Sequence, residues 1–130
     1  MKPLLLLTIL FTYFSSPIAA QSDIIEDLCV HFKAGSSKEI AASFSSSVDL
    51  IIIDEEDVYS KAQAEQILRN FFTKYTPVKA AVVHLINANP KFRFGIISLQ
   101  TKTGKFRVSI TMKKSNNTFF ITELRIEPDK

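Results

Sequence analysis

Cysteine is almost absent. Cys29 is the single one in 130 residues, so the chain can form no disulfide of its own and must hold together by its core. About 110 residues bury enough surface to do that. Histidine is nearly as scarce. His31 and His84 fall on different segments and beside no cysteine cluster, which excludes the usual ligand sets for zinc. Three glycines leave no glycine-rich phosphate loop, and no serine stands in a nucleophile elbow. Past the first twenty residues no run is long and apolar enough to span a membrane. A dominant charge is also missing. Sixteen Lys and Arg against thirteen Asp and Glu give a formal net charge of +3, spread along the chain. That is not the concentrated basic footprint of a nucleic-acid binder. No motif calls for a cofactor or a metal.

What is present begins with "MKPLLLLTILFTYFSSPIAA". Lys2, an apolar run from Leu4 to Phe14, and the small residues Ala19 and Ala20 make a secretory signal peptide over residues 1–20. A single domain over 21–130 is expected to follow. The expected location is secreted and, in a bacterium, the periplasm. No cysteine stands at the cut, which argues against a lipid anchor.

"SDIIEDLCVHFKAG" places Ile24, Ile25, Leu28, Cys29 and Phe32 on one helical stripe that ends at Gly35. Asp23 and Glu26 have capping-box spacing. Cys29 therefore reads as a small buried hydrophobe. "SSKEIAASF" predicts a short second helix capped by Ser36, burying Ile40, Ala41 and Phe44. "SVDLIIID" is a strand apolar on both faces at its centre, expected to be covered on both sides. "DEED" then reads as a polar turn and "VYS" as a brief extended piece. Ser60 and Gln63 form a capping box for the clearest helix of the chain. In it Ala64, Ile67, Leu68, Phe71, Phe72 and Tyr75 repeat at helical spacing, and Glu65 pairs with Arg69 four residues on. Pro77 ends it.

Four strands follow, "VKAAVVHLINA", "KFRFGIISLQTK", "KFRVSITMKK" and "TFFITELRIE", joined by turn residues. Strict alternation of Phe106, Val108, Ile110 and Met112 with Arg107, Ser109, Thr111 and Lys113 gives a sheet with one core face and one wet face. In the second of these strands the apolar phase slips from Phe92, Phe94 and Ile96 to Ile97 and Leu99, and Gly95 beside the slip suggests a bulge. The expected class is α+β, with N-terminal helices packed on a curved antiparallel sheet.

The order helix, helix, strand, helix, long meander resembles the NTF2-like (cystatin-like) superfamily. More closely, "FKAGSSKEIAASFSSSVDL", "VYSKAQAEQILRNFF" and the closing "ITELRIE" resemble DUF4783, a family of small exported bacterial proteins of unknown function. The resemblance covers nearly all of the chain past the signal. It implies a cone-shaped barrel whose mouth can be a pocket. It implies no activity, because the family brings no catalytic motif.

The acids Asp54, Glu55, Glu56 and Asp57 lack the alternation, central glycine and distal glutamate of a common calcium loop, so no metal is expected there. The candidates for a catalytic group are His84, Tyr59 and Asp54, if the fold makes them converge in the cone. His84 shares strand parity with Val78, Ala80, Val82 and Ile86, which aims it inward. Arg93, Lys105, Arg107, Lys113 and Arg125 are assigned to the outer sheet face, a solvated basic face. Phe119 and Ile121 share outward parity with Glu123 and Arg125, and form the candidate surface for a partner or a second copy. Asn116-Asn117-Thr118 matches a glycosylation sequon but reads more simply as a hairpin turn. Two kinds of function remain. One is a non-catalytic module binding a small apolar ligand, a protein partner or its own copy, through the cone pocket or the outer sheet face. The other is a small enzyme of isomerase or dehydratase type with a base in the pocket.

Overall fold

A computed structural model describes residues 23–130. The signal peptide inferred over residues 1–20 lies outside them.

Helix α1 spans Ile24–Ala34. The Asp23 carboxylate caps it by accepting from the Ile25 N–H at 2.8 Å, one residue earlier than a capping box would. The same carboxylate accepts from Asn87 Nδ2 at 3.0 Å and lies 3.7 Å from Arg93 Nε. Gly35 closes the helix in the left-handed region with φ 65°, where a glycine carries no Cβ penalty. Helix α2 is Ser37–Ala41, capped by the Ser36 hydroxyl. It is shorter than its apolar spacing suggested: Phe44 belongs to the next strand, though it is buried as expected.

Strand β1 is Phe44–Ile52 and β2 is Glu55–Ser60. The "DEED" segment is thus mostly strand. Only Asp54 sits in the two-residue turn, beside Ile53 at φ 58°. A β-branched residue at positive φ is unfavourable. Ile53 is held there because its N–H donates to the Ile126 carbonyl at 2.8 Å and its side chain packs on the core.

Helix α3 is Lys61–Lys74. Its capping box is complete: the Gln63 N–H donates to Ser60 Oγ at 3.2 Å, and the Ser60 N–H donates to Gln63 Oε1 at 3.1 Å. Ser60→Ala should cost about 1 kcal/mol of stability, as loss of a cap does. A urea titration that showed no change in midpoint would remove the box from the list of what holds α3 in place.

The rest is a meander of β3 (Pro77–Ile86), β4 (Phe92–Thr101), β5 (Gly104–Ser115) and β6 (Thr118–Pro128). Asn116 and Asn117, both at positive φ, turn β5 into β6. The six strands lie in the order β2-β1-β6-β5-β4-β3, an open sheet with β2 and β3 at its edges. Neighbours are antiparallel except β1 and β6, which run parallel and join the first hairpin to the meander.

Helix α1 lies over β3 and β4, α3 lies over β1 and β2, and α2 packs on α1 and α3. Their apolar stripes meet the inner face of the sheet, where Leu50, Ile97, Val108, Ile110, Leu124 and Ile126 are buried. Among the described residues no helix lies over the outer face. Ile51, expected under a second layer, is instead covered by its neighbours: it sits between Glu56 and Arg125 in register and is 5% exposed.

Strand β4 keeps unbroken register with β5 from Phe92 to Thr101, so the apparent slip at Gly95 is not a bulge in that strand. Gly95, Ile97 and Leu99 point inward, while Phe94, Ile96 and Ser98 point outward. Gly95 is needed for a different reason. A Cβ there would stand 2.5 Å from Ile25 Cγ2, where α1 comes closest to the sheet.

Candidate functional site: the cone and the outer sheet face

The space between helices and sheet is filled. Phe32, Ile40, Phe44, Leu68 and Met112 occupy it and are 0–1% exposed. Among the described residues the buried polar groups are Ser37 and Thr101, neither ionisable. Thr101 Oγ1 donates to the Gly104 carbonyl at 2.7 Å, closing the β4–β5 turn. Cys29 is buried, as its place on the stripe predicted. Burial, aided by the nearby Glu26 charge, pushes its thiol up from the usual range, so it stays protonated and poorly nucleophilic near neutral pH. The sheet does not close into a cone, and an open cleft of about 370 Å³ lies between α3 and the β1–β2 hairpin, with Ile52, Ile53, Asp54, Ile67, Phe71 and Tyr75 in its lining.

The three catalytic candidates do not converge. Tyr59 lies on β2 opposite Val48 and packs against the core. His84 lies on β3, at the other edge of the sheet, with four strands between them. Nor is His84 inward. Val83 is an extra residue in β3, inserted between the pairs Val82↔Ile97 and His84↔Ile96. The bulge reverses the parity that the sequence suggested: Ala80, Val82 and Leu85 pack on the core, and His84 is exposed beside Phe94, ring to ring at 6.5 Å. Asp54 stands at the hairpin turn. The acids after it alternate along β2 and diverge, and among the described residues no three His, Cys, Asp or Glu side chains gather as metal ligands would.

A second bulge corrects the surface assignment. Met112 pairs with Ile121 and Thr111 with Glu123, so Thr122 is an extra residue with no register partner on β5, and its hydroxyl donates to the Thr111 carbonyl at 3.4 Å. Ile121 is thereby turned into the core, at 0% exposure, and Phe119 is part-buried against that core. The Phe119 ring is further covered by Arg93, whose Cζ lies 4.5 Å from its centroid, and by Lys114 at 5.8 Å. Neither residue offers a free apolar surface. Arg93 also departs from the expected outer basic face, reaching Asp23 at the start of α1.

The outer face carries a different pattern. Arg125 bonds Glu127 at 3.0 Å and lies 3.9 Å from Glu123, and the bond to Glu127 raises its already high pKa. Across the polar middle of β5, the half formed by β3 and β4 is apolar: Val83, Ile86, Phe94 and Ile96, with His84 among them. Val83 is 61% exposed and Ile86 43%. A depression of about 400 Å³ beside the stripe is lined by Val83, His84, Ile96 and Ser98, with Arg107 and Asp129 at its rim. The signal for this stripe was in the sequence. The phase slip of β4, Phe94 and Ile96 against Ile97 and Leu99, meant apolar residues on both faces.

The model of the DUF4783 family, a domain of unknown function, matches residues 25–127. No curated protein matches the sequence. A DUF4783 family protein from Bacteroides uniformis superposes with a TM-score of 0.79 at 29% identity, covering 83% of this chain and 99% of its own. A protein from Nostoc punctiforme with a cystatin-like fold superposes at 0.65 and 13% identity, over 82% of this chain and 73% of its own. A further structure with NTF2 in its name superposes at 0.59 and 15% identity, over 79% and 92%. Those last two likenesses establish the fold alone, an NTF2-like α+β fold with an open curved sheet. By the extent of the family match, the chain belongs to the DUF4783 family.

Proposed function

We propose that this protein is a non-catalytic binding module that works through the apolar β3–β4 half of its outer sheet face, and that the occupant of that face is a second copy of the chain. The carrying observation is the contrast between the two faces. The inner one is closed by its own helices, while Val83, Ile86, Phe94 and Ile96 lie together on the outer one with none of the described elements over them. Contiguous exposed apolar surface of this kind marks an interaction site. Self-association fits the charges at its rim. Arg107 and Asp129 flank the same depression without an ion pair between them. In a twofold dimer that set Arg107 of one copy against Asp129 of the other, the pair would form twice, because every contact of an isologous interface is repeated by symmetry. The enzyme alternative needs ionisable groups brought together in one substrate cavity, and Tyr59 on β2, Asp54 at the hairpin turn and His84 on the far edge strand β3 do not meet in one. The signal-like segment supports a place of action outside the cytoplasm.

Sedimentation equilibrium tests the reading. Wild type should be dimeric, and Phe94→Glu should be monomeric with an unchanged circular dichroism spectrum. Arg107→Glu should weaken the dimer, and adding Asp129→Arg should restore it. A monomeric wild type, or a dimer indifferent to Phe94→Glu, would refute the proposal.

A further inference from the structure

Both ladders of β6 break at the same residue. Thr122 has no register partner on β5, and on the other side the β1 register jumps from Phe44↔Ile121 to Asp49↔Glu123. Four residues of β1 are thus set against one of β6, and the strands part. Paired irregularities of this kind re-aim side chains and recur beside binding sites. Here they open a notch of about 410 Å³, within the roughly 300–1,000 Å³ of small-molecule sites.

The lining is unlike that of the other clefts. Ser45, Ser46, Ser115 and Thr122 supply hydroxyls, and the part-buried Phe120 supplies an aromatic ring, with the buried Phe44 also in the lining. Lys61 and Lys113 complete it, both exposed. No carboxylate lines the notch, and neither lysine is engaged in an ion pair among the described residues.

We propose that this notch binds an acidic sugar. Each part of the lining matches one part of such a ligand. Two ammonium groups with no protein counter-ion suit a carboxylate, because hydrogen bonds to a charged acceptor are the strong ones. The hydroxyls, each both donor and acceptor, suit the hydroxyls of a sugar ring. The Phe120 ring offers an apolar face to the C–H face of that ring. The Thr122 hydroxyl already donates to the Thr111 carbonyl at 3.4 Å, but a wholly apolar ligand would leave both lysines and the three serine hydroxyls without partners, at a cost in desolvation. A bare inorganic anion would leave Phe120 and most of the volume unused. The site is separate from the β3–β4 stripe and does not depend on whether that stripe pairs two copies.

Isothermal titration of the full protein with digalacturonic acid tests this, with neutral galactobiose and sodium sulfate titrated in parallel. Digalacturonic acid should bind, and galactobiose should bind roughly tenfold more weakly or not at all, the loss expected for contacts to a charged group. Lys61→Gln with Lys113→Gln should weaken the acidic disaccharide by roughly tenfold or more. Both lysines are exposed, so the fold should be unchanged by circular dichroism. Phe120→Ala should weaken it while leaving its salt dependence intact. Sulfate binding as tightly as the disaccharide would reduce the notch to a simple anion site and overturn the proposal. So would equal binding of the neutral sugar, indifference to the lysine pair, or no binding at all.

Discussion

Phe32→Ala should lower stability by about 3–5 kcal/mol, the range for removing a buried phenylalanine. Against a total of about 5–15 kcal/mol for a natural domain, that leaves a protein close to unfolding. The reason lies in the connections of that one ring. Phe32 of α1 meets Phe72 of α3 edge to face, with centroids 5.9 Å apart. Phe72 meets Phe71 at 5.7 Å, and Phe71 meets Phe106 of β5 at 5.1 Å. Tyr75 closes the group on Phe106 at 4.8 Å. The ring is completely buried, so truncation leaves a cavity between two helices and the sheet rather than a dent that water can fill. A urea titration should show a lower midpoint with an unchanged slope. A loss below about 1.5 kcal/mol would mean that α1 slides to fill the gap, and that the aromatic group is less rigid than its geometry suggests.

Gly95→Ala is the second large effect, and it adds an atom rather than removing one. The new Cβ would stand 2.5 Å from Ile25 Cγ2 and 3.3 Å from Ile25 Cβ. The side chain it meets is β-branched, fully buried and in the first turn of α1, so it cannot swing aside. Either α1 lifts or β4 bends, and overpacking of this kind costs about 1–3 kcal/mol, sometimes more. For a domain of this size, each kcal/mol lowers the melting temperature by about 4–8 °C. The diagnostic is the pair. Ile25→Ala alone should destabilise, yet Gly95→Ala should be far milder in that background, with a coupling of about 0.5–3 kcal/mol. Additive losses would show that Gly95 is required for some reason other than the approach of α1.

These contacts mark how far the sequence could be read. Apolar spacing and capping residues are local, and α1 and α3 were legible to within a residue or two from Ile25, Phe32, Ser60 and Gln63. The alternation of β5 was equally plain, because no extra residue interrupts that strand. Strand parity is a running count, however, and one inserted residue inverts everything beyond it. Val83 and Thr122 are such insertions. His84 and Ile121 each stand next to one, and each faces the opposite way from its assignment. Neither bulge has a glycine to announce it, and the glycine that attracted attention, Gly95, serves helix packing instead. The outward apolar row of β4 was missed for a related reason. Phe94 and Ile96 looked like a slipped core pattern, and only the fixed register with β5 shows them to be a second, outward row.

The parallel pairing of β1 with β6 has a consequence in time. β1 ends at Ile52, and its partner residue on β6 is Ile126, near the end of the chain. The first hairpin and the meander can each form early from near neighbours. They become one sheet only when the last strand is available, after the chain has closed a loop of most of its length. Pairings this distant in sequence slow folding, because the entropy of closure is lost before the contacts compensate. Until then β1 has an open edge, and Val48, Leu50 and Ile51 lie along it.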